Sequence, residues 1–275
     1  MMDAENKPVS LRKIASWLNV PWSTVQYKPK RQKAPRMDSP LERQIHELIQ
    51  QPNYASYGYR RITALLKQAG RTINKKKVQR IMRINGWGVS RKAKGFRPRV
   101  AASSSKSARV NQRWATDMTH FFCQDVGWCH LVPVMDCWNR EIVGYRISRR
   151  QNTAVAEGAL EDALLSSYGC NRAQARGLIL RSDNGLIFSS KAFLRLVNRH
   201  GLTPEYITPY TPEQNGMMER FMRTIKTECI WLRSFSSFAQ AQKTIAAWIY
   251  FYNNERQHSA LGYMAPVQFR NKQAA

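Results

Sequence analysis

Acidic residues are scarce in this chain and unevenly placed. Only 18 Asp and Glu stand against 44 Lys and Arg in 275 residues, a formal net charge of +26. An imbalance of that size says more about partners than about fold, and it favours polyanions. Residues 1–113 carry 26 basic and 5 acidic side chains, net +21, whereas residues 114–275 carry 18 and 13, net +5. The contrast points to a DNA-binding arm joined to a nearly balanced catalytic domain, and away from an evenly solvated charged surface. Cysteine is sparse too. The five residues Cys123, Cys129, Cys137, Cys170 and Cys229 are odd in number and nowhere closely paired as zinc ligands are. That excludes a disulfide scaffold and a zinc finger, and fits a reduced, intracellular setting. His120, Cys123 and Cys129 form the only His/Cys cluster. No run of about 18 apolar residues occurs, and no signal-type apolar region opens the chain, so membrane insertion is excluded. The expected location is the bacterial cytoplasm, with the nucleoid. Internal repeats and sustained heptads are absent.

What is present divides into four parts. In residues 1–30, Ser10 is placed to cap a helix through about Leu18, Asn19-Val20-Pro21 breaks it, and Ser23 begins another. This reads equally as a helix-turn-helix or as an ordinary helical hairpin. A basic, Pro-rich linker spans 28–40. Residues 41–90 form a second helical module. Leu41, Ile45, Leu48 and Ile49 repeat at helical spacing, a second helix after Tyr57-Gly58-Tyr59-Arg60-Arg61 ends at Gly70, and a third starts near Asn74. That third helix carries Lys75, Lys76, Lys77, Arg80 and Arg83 with no compensating acid, as a recognition helix in a DNA groove would. Residues 91–112 are a basic linker. From 113 to 275 the character changes to strands at 114–123, 129–137 and 141–148, a helix at 153–167, a buried strand at 177–182, a helix at 190–200 and a fifth strand near Tyr206-Ile207. A long helix from about Glu213 to Trp231 and an aromatic-rich one at 237–253 follow. The expected fold class is α/β, a mixed sheet with helices on both faces, preceded by small all-α helix-turn-helix modules.

Three carboxylates stand in distinctive surroundings. Asp117 lies in Trp114-Ala115-Thr116-Asp117-Met118-Thr119, mid-strand. Asp183 ends an apolar run and precedes Asn184-Gly185, at the carboxyl end of a strand, where open α/β sheets place ligands. Glu219 lies in Asn215-Gly216-Met217-Met218-Glu219, with 35 residues between it and Asp183. Carboxylates suit Mg²⁺ or Mn²⁺, and two such ions about 4 Å apart can clamp the attacking and leaving oxygens of a phosphoryl displacement. Lys226 is seven residues beyond Glu219, almost two helical turns, so the two share a face. The plainer readings are a turn at Asp183, a surface pair between Glu219 and Arg223, and solvated charge elsewhere. Asp136 competes as a fourth acid or as a partner for Arg140.

The spacing, with Trp114-x-x-Asp117 upstream, resembles the DDE motif of the retroviral-integrase superfamily, most closely the OrfB-type transposases of bacterial insertion sequences. Tyr57-Gly58-Tyr59-Arg60-Arg61, Val134 through Gly144, and His258-Ser259-Ala260-Leu261-Gly262-Tyr263-Met264-Ala265-Pro266 resemble further family signatures. The resemblance covers about residues 42–270. It implies an RNase H-like catalytic fold, Asp117, Asp183 and Glu219 as catalytic ligands of two Mg²⁺ (or Mn²⁺) ions, and Lys226 as a DNA-backbone contact. Arg223, Asn184, Arg60, Arg61, Lys75, Lys76, Lys77 and Arg80 are the further DNA-binding candidates. The implied partners are double-stranded DNA, as element terminal inverted repeats and target, and further copies of the chain in a synaptic complex. The expected reaction is metal-dependent strand cleavage and strand transfer. The alternatives are a catalytically silent DNA-binding regulator and a simple RNase H-type nuclease. Two features depart from the superfamily: the leucine zipper of many relatives' upstream reading frame is missing, as is the N-terminal His/Cys zinc module of retroviral integrases.

Overall fold

The computed structural model describes residues 9–28, 38–88, 107–208 and 212–274. The linkers expected at 28–40 and 91–112 fall largely outside these residues. The chain divides into two compact units, Met1–Pro40 and Leu41–Ala275.

In the first unit, helix α1 (Leu11–Trp17) starts where Ser10 accepts the Lys13 amide, and a four-residue helix α2 (Trp22–Val25) follows. The turn between them is bought by Asn19, in the left-handed region at φ 52°. Only Ala15 of the two helices is buried.

The second unit opens with three helices, α3 (Ser39–Gln50), α4 (Tyr59–Gln68) and α5 (Lys75–Ile84). Their apolar stripes bury Leu41, Ile45, Ile62, Leu66, Val78, Ile81 and Met82. Gly70, at φ 82°, turns the chain after α4, and the Asn74 side chain caps α5 by accepting the Lys76 amide at 2.9 Å.

A mixed six-stranded sheet follows: β1 (Arg113–Thr116), β2 (Thr119–Cys123), β3 (Gly127–Asp136), β4 (Ile142–Ser148), β5 (Ile179–Ser182) and β6 (Thr203–Tyr206). The sequence predicts one strand over 114–123, but the structure breaks it at Asp117-Met118. Both halves keep one antiparallel register on β3, from Trp114↔Asp136 and Thr116↔Val134 to Thr119↔Leu131 and Cys123↔Gly127. That register sets Asp117 opposite Pro133. Proline has no amide hydrogen to give the ladder, and its carbonyl accepts the Thr116 hydroxyl at 3.0 Å instead. The ladder therefore opens at the residue proposed for chemistry. On the other side of β1, β5 and then β6 run parallel to it. The fifth strand lies earlier than Tyr206-Ile207 suggests, and it tolerates Pro204 because β6 ends the ladder.

Helix α6 (Thr153–Tyr168) packs on β4 and β3 through Val155, Ala156, Ala159, Leu160, Ala163 and Leu164. Its alanines let it approach closely: a Cβ on Gly144 of β4 would lie 2.5 Å from the Ala163 nitrogen and 2.7 Å from the Ala159 oxygen. Gly144→Ala is expected to destabilise the fold by about 1–3 kcal/mol, because helix backbone rather than a flexible side chain must yield. Equilibrium urea unfolding measures this, and an unchanged midpoint would contradict the close packing.

After α7 (Lys191–Arg199), the long helix predicted over 213–231 proves to be three pieces: a 3₁₀ turn Pro212–Asn215, helix α8 (Gly216–Ile225) and a π-helical segment Lys226–Ile230. Helix α9 (Phe238–Asn254) is capped by Ser237. A tenth helix, α10 (Pro266–Ala274), was not predicted from the sequence. It begins on Pro266, whose fixed φ suits a first helical turn.

Candidate active site

The parallel pairing of β1 with β5 assembles the centre of the site. Ala115 stands opposite Arg181, so Asp117 and Asp183, two residues further along each strand, leave the same end of the sheet side by side. Each spends one oxygen on a local backbone amide: Asp117 Oδ1 accepts from Met118 at 2.7 Å and Asp183 Oδ1 from Gly185 at 3.0 Å. Residue 185 has to be small, since a Cβ there would sit 2.9 Å from Asp183 Oδ1. Burial pushes the Asp117 carboxyl up to about 6, the Met118 amide works against that, the charge of Asp183 adds to it, and Lys226 opposes it. Lys226 is thus within electrostatic reach of the pair.

Glu219 is placed differently. It lies in the first turn of α8, with its side chain 52% exposed and 3.5 Å from Arg223. Among the described residues no three His, Cys, Asp or Glu side chains close on one metal position. The structure therefore sets Asp117 beside Asp183, with the charge of Lys226 acting on Asp117, and leaves Glu219 in the i,i+4 surface pair. As a donor set the two aspartates fit a hard divalent cation: both offer oxygen, and their juxtaposed charge is left short of compensation in a partly desolvated position.

Asp136 is not a fourth ligand, nor is its carboxylate spent on Arg140. It is fully buried at the opposite end of β1, where Oδ2 accepts from the Asn111 amide and Oδ1 from the Trp138 amide, both at 2.7 Å. His120, Cys123 and Cys129 form no metal group either.

Sequence reasoning missed the support beneath Asp183. Arg181, two residues earlier on the same face of β5, is 2% exposed, pairs through Nε with Glu205 Oε2 at 2.7 Å, and donates to the Gln214 carbonyl. Arg113 joins it on Glu205 at 3.0 Å. Gln214 in turn bonds Thr208 in both directions. The base of the segment leading into α8 is fastened to the strand that carries Asp183. An arginine directly after the apolar run Leu178-Ile179-Leu180, still within the strand, was the available signal.

The DNA-binding candidates separate. Lys75 and Lys76 are exposed at the N-terminus of α5, and Arg60 and Arg223 are exposed as well. Cations at a helix N-terminus oppose its dipole, so this placement costs the fold and suits a phosphate partner. Lys77 and Arg80 are half-buried on the same helix, and the Nε of Arg80 has no hydrogen-bond partner. Asn184 donates to the Ile207 carbonyl at 2.9 Å, bracing the end of β6. Arg61 differs from the other basic candidates: its guanidinium pairs with Glu228 at 3.3 Å and lies 5.0 Å from the Tyr57 ring centre, with 29% of the side chain still exposed.

Comparison with known proteins agrees with this architecture. Two family models described as integrase core domain match residues 107–212 and 200–266, together more than half of the chain, and an HTH-like domain model matches residues 37–95. The chain is 28% identical to the InsK transposase of insertion sequence IS150 of Escherichia coli, over 92% of this chain and 90% of that one. It is 29% identical to the InsD transposase of IS2 elements of Escherichia coli, over 86% and 80%. A simian T-cell lymphotropic virus intasome structure shares the fold, with a TM-score of 0.52 at 16% identity over 82% of this chain and 74% of that one. No described helix is long and apolar enough to cross a membrane.

Proposed function

Because the chain belongs to the integrase core domain family of insertion-sequence transposases, we propose that Asp117, Asp183 and Glu219 are its catalytic carboxylates and that it cleaves and joins DNA at element ends. It is a DNA transposase of the DDE type. The observation that supports the site assignment is the side-by-side placement of Asp117 and Asp183 at the ends of two parallel neighbours, with the charge of Lys226 acting on Asp117.

Asp117 and Asp183 would hold the divalent ions, two Mg²⁺ or Mn²⁺, with Glu219 as the third carboxylate. When bound, the ions supply Lewis-acid polarisation of the scissile phosphate and a more acidic attacking water or hydroxyl. Lys226 holds a backbone phosphate as a point charge. Arg181 and Glu205 keep the approach to α8 fixed, which positions without reacting. In cleavage, water adds to phosphorus and the bond to the 3′-oxygen breaks, with the proton passing to that oxygen. In strand transfer the freed 3′-hydroxyl adds to a target phosphodiester and displaces the 3′-oxygen there. No covalent bond between protein and DNA forms.

Helix α5 is proposed to read the terminal inverted repeats, and synapsis of two ends would assemble further copies of the chain. The partner is double-stranded DNA, met in the bacterial cytoplasm. The test is a strand-transfer assay on duplex ends of the host element with Mg²⁺. Joined products that vanish in excess chelator are expected. End binding without products would favour the silent regulator, and cutting without end preference the simple nuclease.

Lys75→Ala/Lys76→Ala is expected to weaken duplex binding across sequences and to flatten the dependence of log Kd on log salt by about 1–2, since each phosphate contact releases roughly 0.9 counterions. Fluorescence anisotropy between low and physiological salt measures the slope; an unaltered slope would remove α5 from the interface.

A further inference from the structure

The buried junction between the three-helix module and the C-terminal helices is used by nothing in the mechanism above. Glu228 sits in the π-helical segment, its side chain 9% exposed. It takes two guanidinium bonds from Arg256, Nε to Oε2 and Nη2 to Oε1, both at 2.7 Å, and a third from Arg61 of α4 at 3.3 Å. The Arg256 side chain is 4% exposed. Aromatic faces cover both cations: Arg61 lies 5.0 Å from the Tyr57 ring and Arg256 5.6 Å from the Tyr252 ring. Tyr252 meets Phe221 of α8 edge-on at 5.0 Å and His258 at 4.8 Å. Around this centre Gln257 bonds Gln68 of α4 at 2.8 Å, and Tyr54 meets Phe251 of α9 at 6.0 Å.

One carboxylate shared by two guanidinium groups, buried except for the Arg61 side chain at 29% exposure, is an expensive arrangement. Apolar side chains of similar size often serve stability better, so such clusters are best explained by fixing one geometry. The geometry at stake is local. The π segment begins at Lys226, and its wide turn is closed by the Trp231 amide on the Lys226 carbonyl at 2.8 Å. A π turn adds a residue to the helical path and is unstable without outside support, so its release rotates the side chains on one side of it against those on the other. Lys226 is the residue at that seam, and its charge acts on the Asp117 carboxyl.

We propose that Glu228 is a positioning residue for strand cleavage, holding the π turn in register so that Lys226 is presented to the Asp117–Asp183 pair while Arg61 ties that register to the helix-turn-helix module. The proposal rests on the reading of Asp117 and Asp183 as the catalytic centre. It also accounts for the pairing of Arg61 with Glu228.

The test uses the full chain and duplex element ends with Mg²⁺, at a temperature where the variants are folded. Glu228→Gln is expected to lower the cleavage kcat by about 10²-fold, as misplacement of a substrate-holding group does, with KM and duplex Kd little changed. Glu228→Asp should recover part of the loss. The discriminating arm is a double-mutant cycle. If Glu228 acts through Lys226, then adding Glu228→Gln to Lys226→Ala should cost less than about twofold more. Multiplicative losses would overturn the proposal, because they would show a general loss of structure; so would a Glu228→Gln enzyme with wild-type kcat. Should Glu228→Gln fail to fold, Arg61→Met replaces it, since the Arg256 pair stays whole. Reduced kcat with unchanged Kd supports the link, and wild-type kcat, or a change confined to Kd and its salt slope, overturns it. An inactive wild type would instead remove the functional reading itself.

Discussion

Asp117→Asn and Asp183→Asn are each expected to lower strand cleavage and strand transfer by at least about 10³-fold, roughly 4 kcal/mol of barrier, while duplex binding changes little. On the proposed assignment the aspartates would contribute charge to a divalent ion, whereas affinity would come mainly from the basic arm. The same substitution has an opposite effect on folding. Burial and the neighbouring Asp183 push the Asp117 carboxyl up to about 6 from an ordinary value of 3.8. A carboxyl with a folded-state pKa above its unfolded value binds protons more tightly in the native state. Its contribution is therefore intact at acid pH and is lost as pH rises through the window from about 4 to about 6. In metal-free protein at pH 7.5 the ionised carboxylate costs on the order of 2 kcal/mol. Asp117→Asn should raise the metal-free Tm at that pH and flatten the contribution to its pH slope. Mg²⁺ should raise the Tm of wild type and leave the variant nearly unmoved. A variant less stable than metal-free wild type, or one still able to join strands, would contradict the assignment.

Glu219→Gln is expected to lower strand transfer by a similar factor, about 10³-fold or more, although its carboxylate is half-exposed and paired only with Arg223. As a surface ion pair it would stabilise the protein by only about 0.3–0.5 kcal/mol and matter little to rate. The two readings therefore separate by orders of magnitude in one assay. Arg223→Ala serves as the contrast: it breaks the pair but keeps the Glu219 carboxylate, so its loss should appear in duplex Kd rather than in kcat, with stability within about 0.5 kcal/mol. A kcat for Glu219→Gln no lower than that of Arg223→Ala would return Glu219 to the surface-pair reading.

Part of the fold around the candidate site is legible in the sequence itself. Asp183 could be placed at the carboxyl end of a buried strand because Leu178-Ile179-Leu180 reads as a strand and Asn184-Gly185 as its exit. The helices of 41–84 followed from their 3.6-residue spacing, and Gly70 and Asn74 marked their ends. What could not be read was whatever depends on pairing between distant segments. The break at Asp117 arises from Pro133 across the ladder, sixteen residues away in sequence. The π segment at Lys226 is invisible to helical periodicity, because tertiary contacts such as Glu228 with Arg61 and Arg256 hold it. Arg61 looked like one more cation in a basic run until its acidic partner, 167 residues further along, was brought beside it. Arg181 was hidden for the same reason, since a buried guanidinium shows its purpose only once Glu205 and the Gln214 carbonyl are next to it.

The most direct test asks whether an oxygen of Asp183 touches a metal ion during strand transfer. Asp183→Cys replaces a hard oxygen ligand with sulfur, which Mg²⁺ accepts poorly and the softer Mn²⁺ tolerates better. Strand transfer by this variant should be undetectable in Mg²⁺ and restored in Mn²⁺, with wild type active in both. Equal activity in the two metals, or none in either from a folded protein that still binds element ends, would contradict the assignment of Asp183 as a metal ligand.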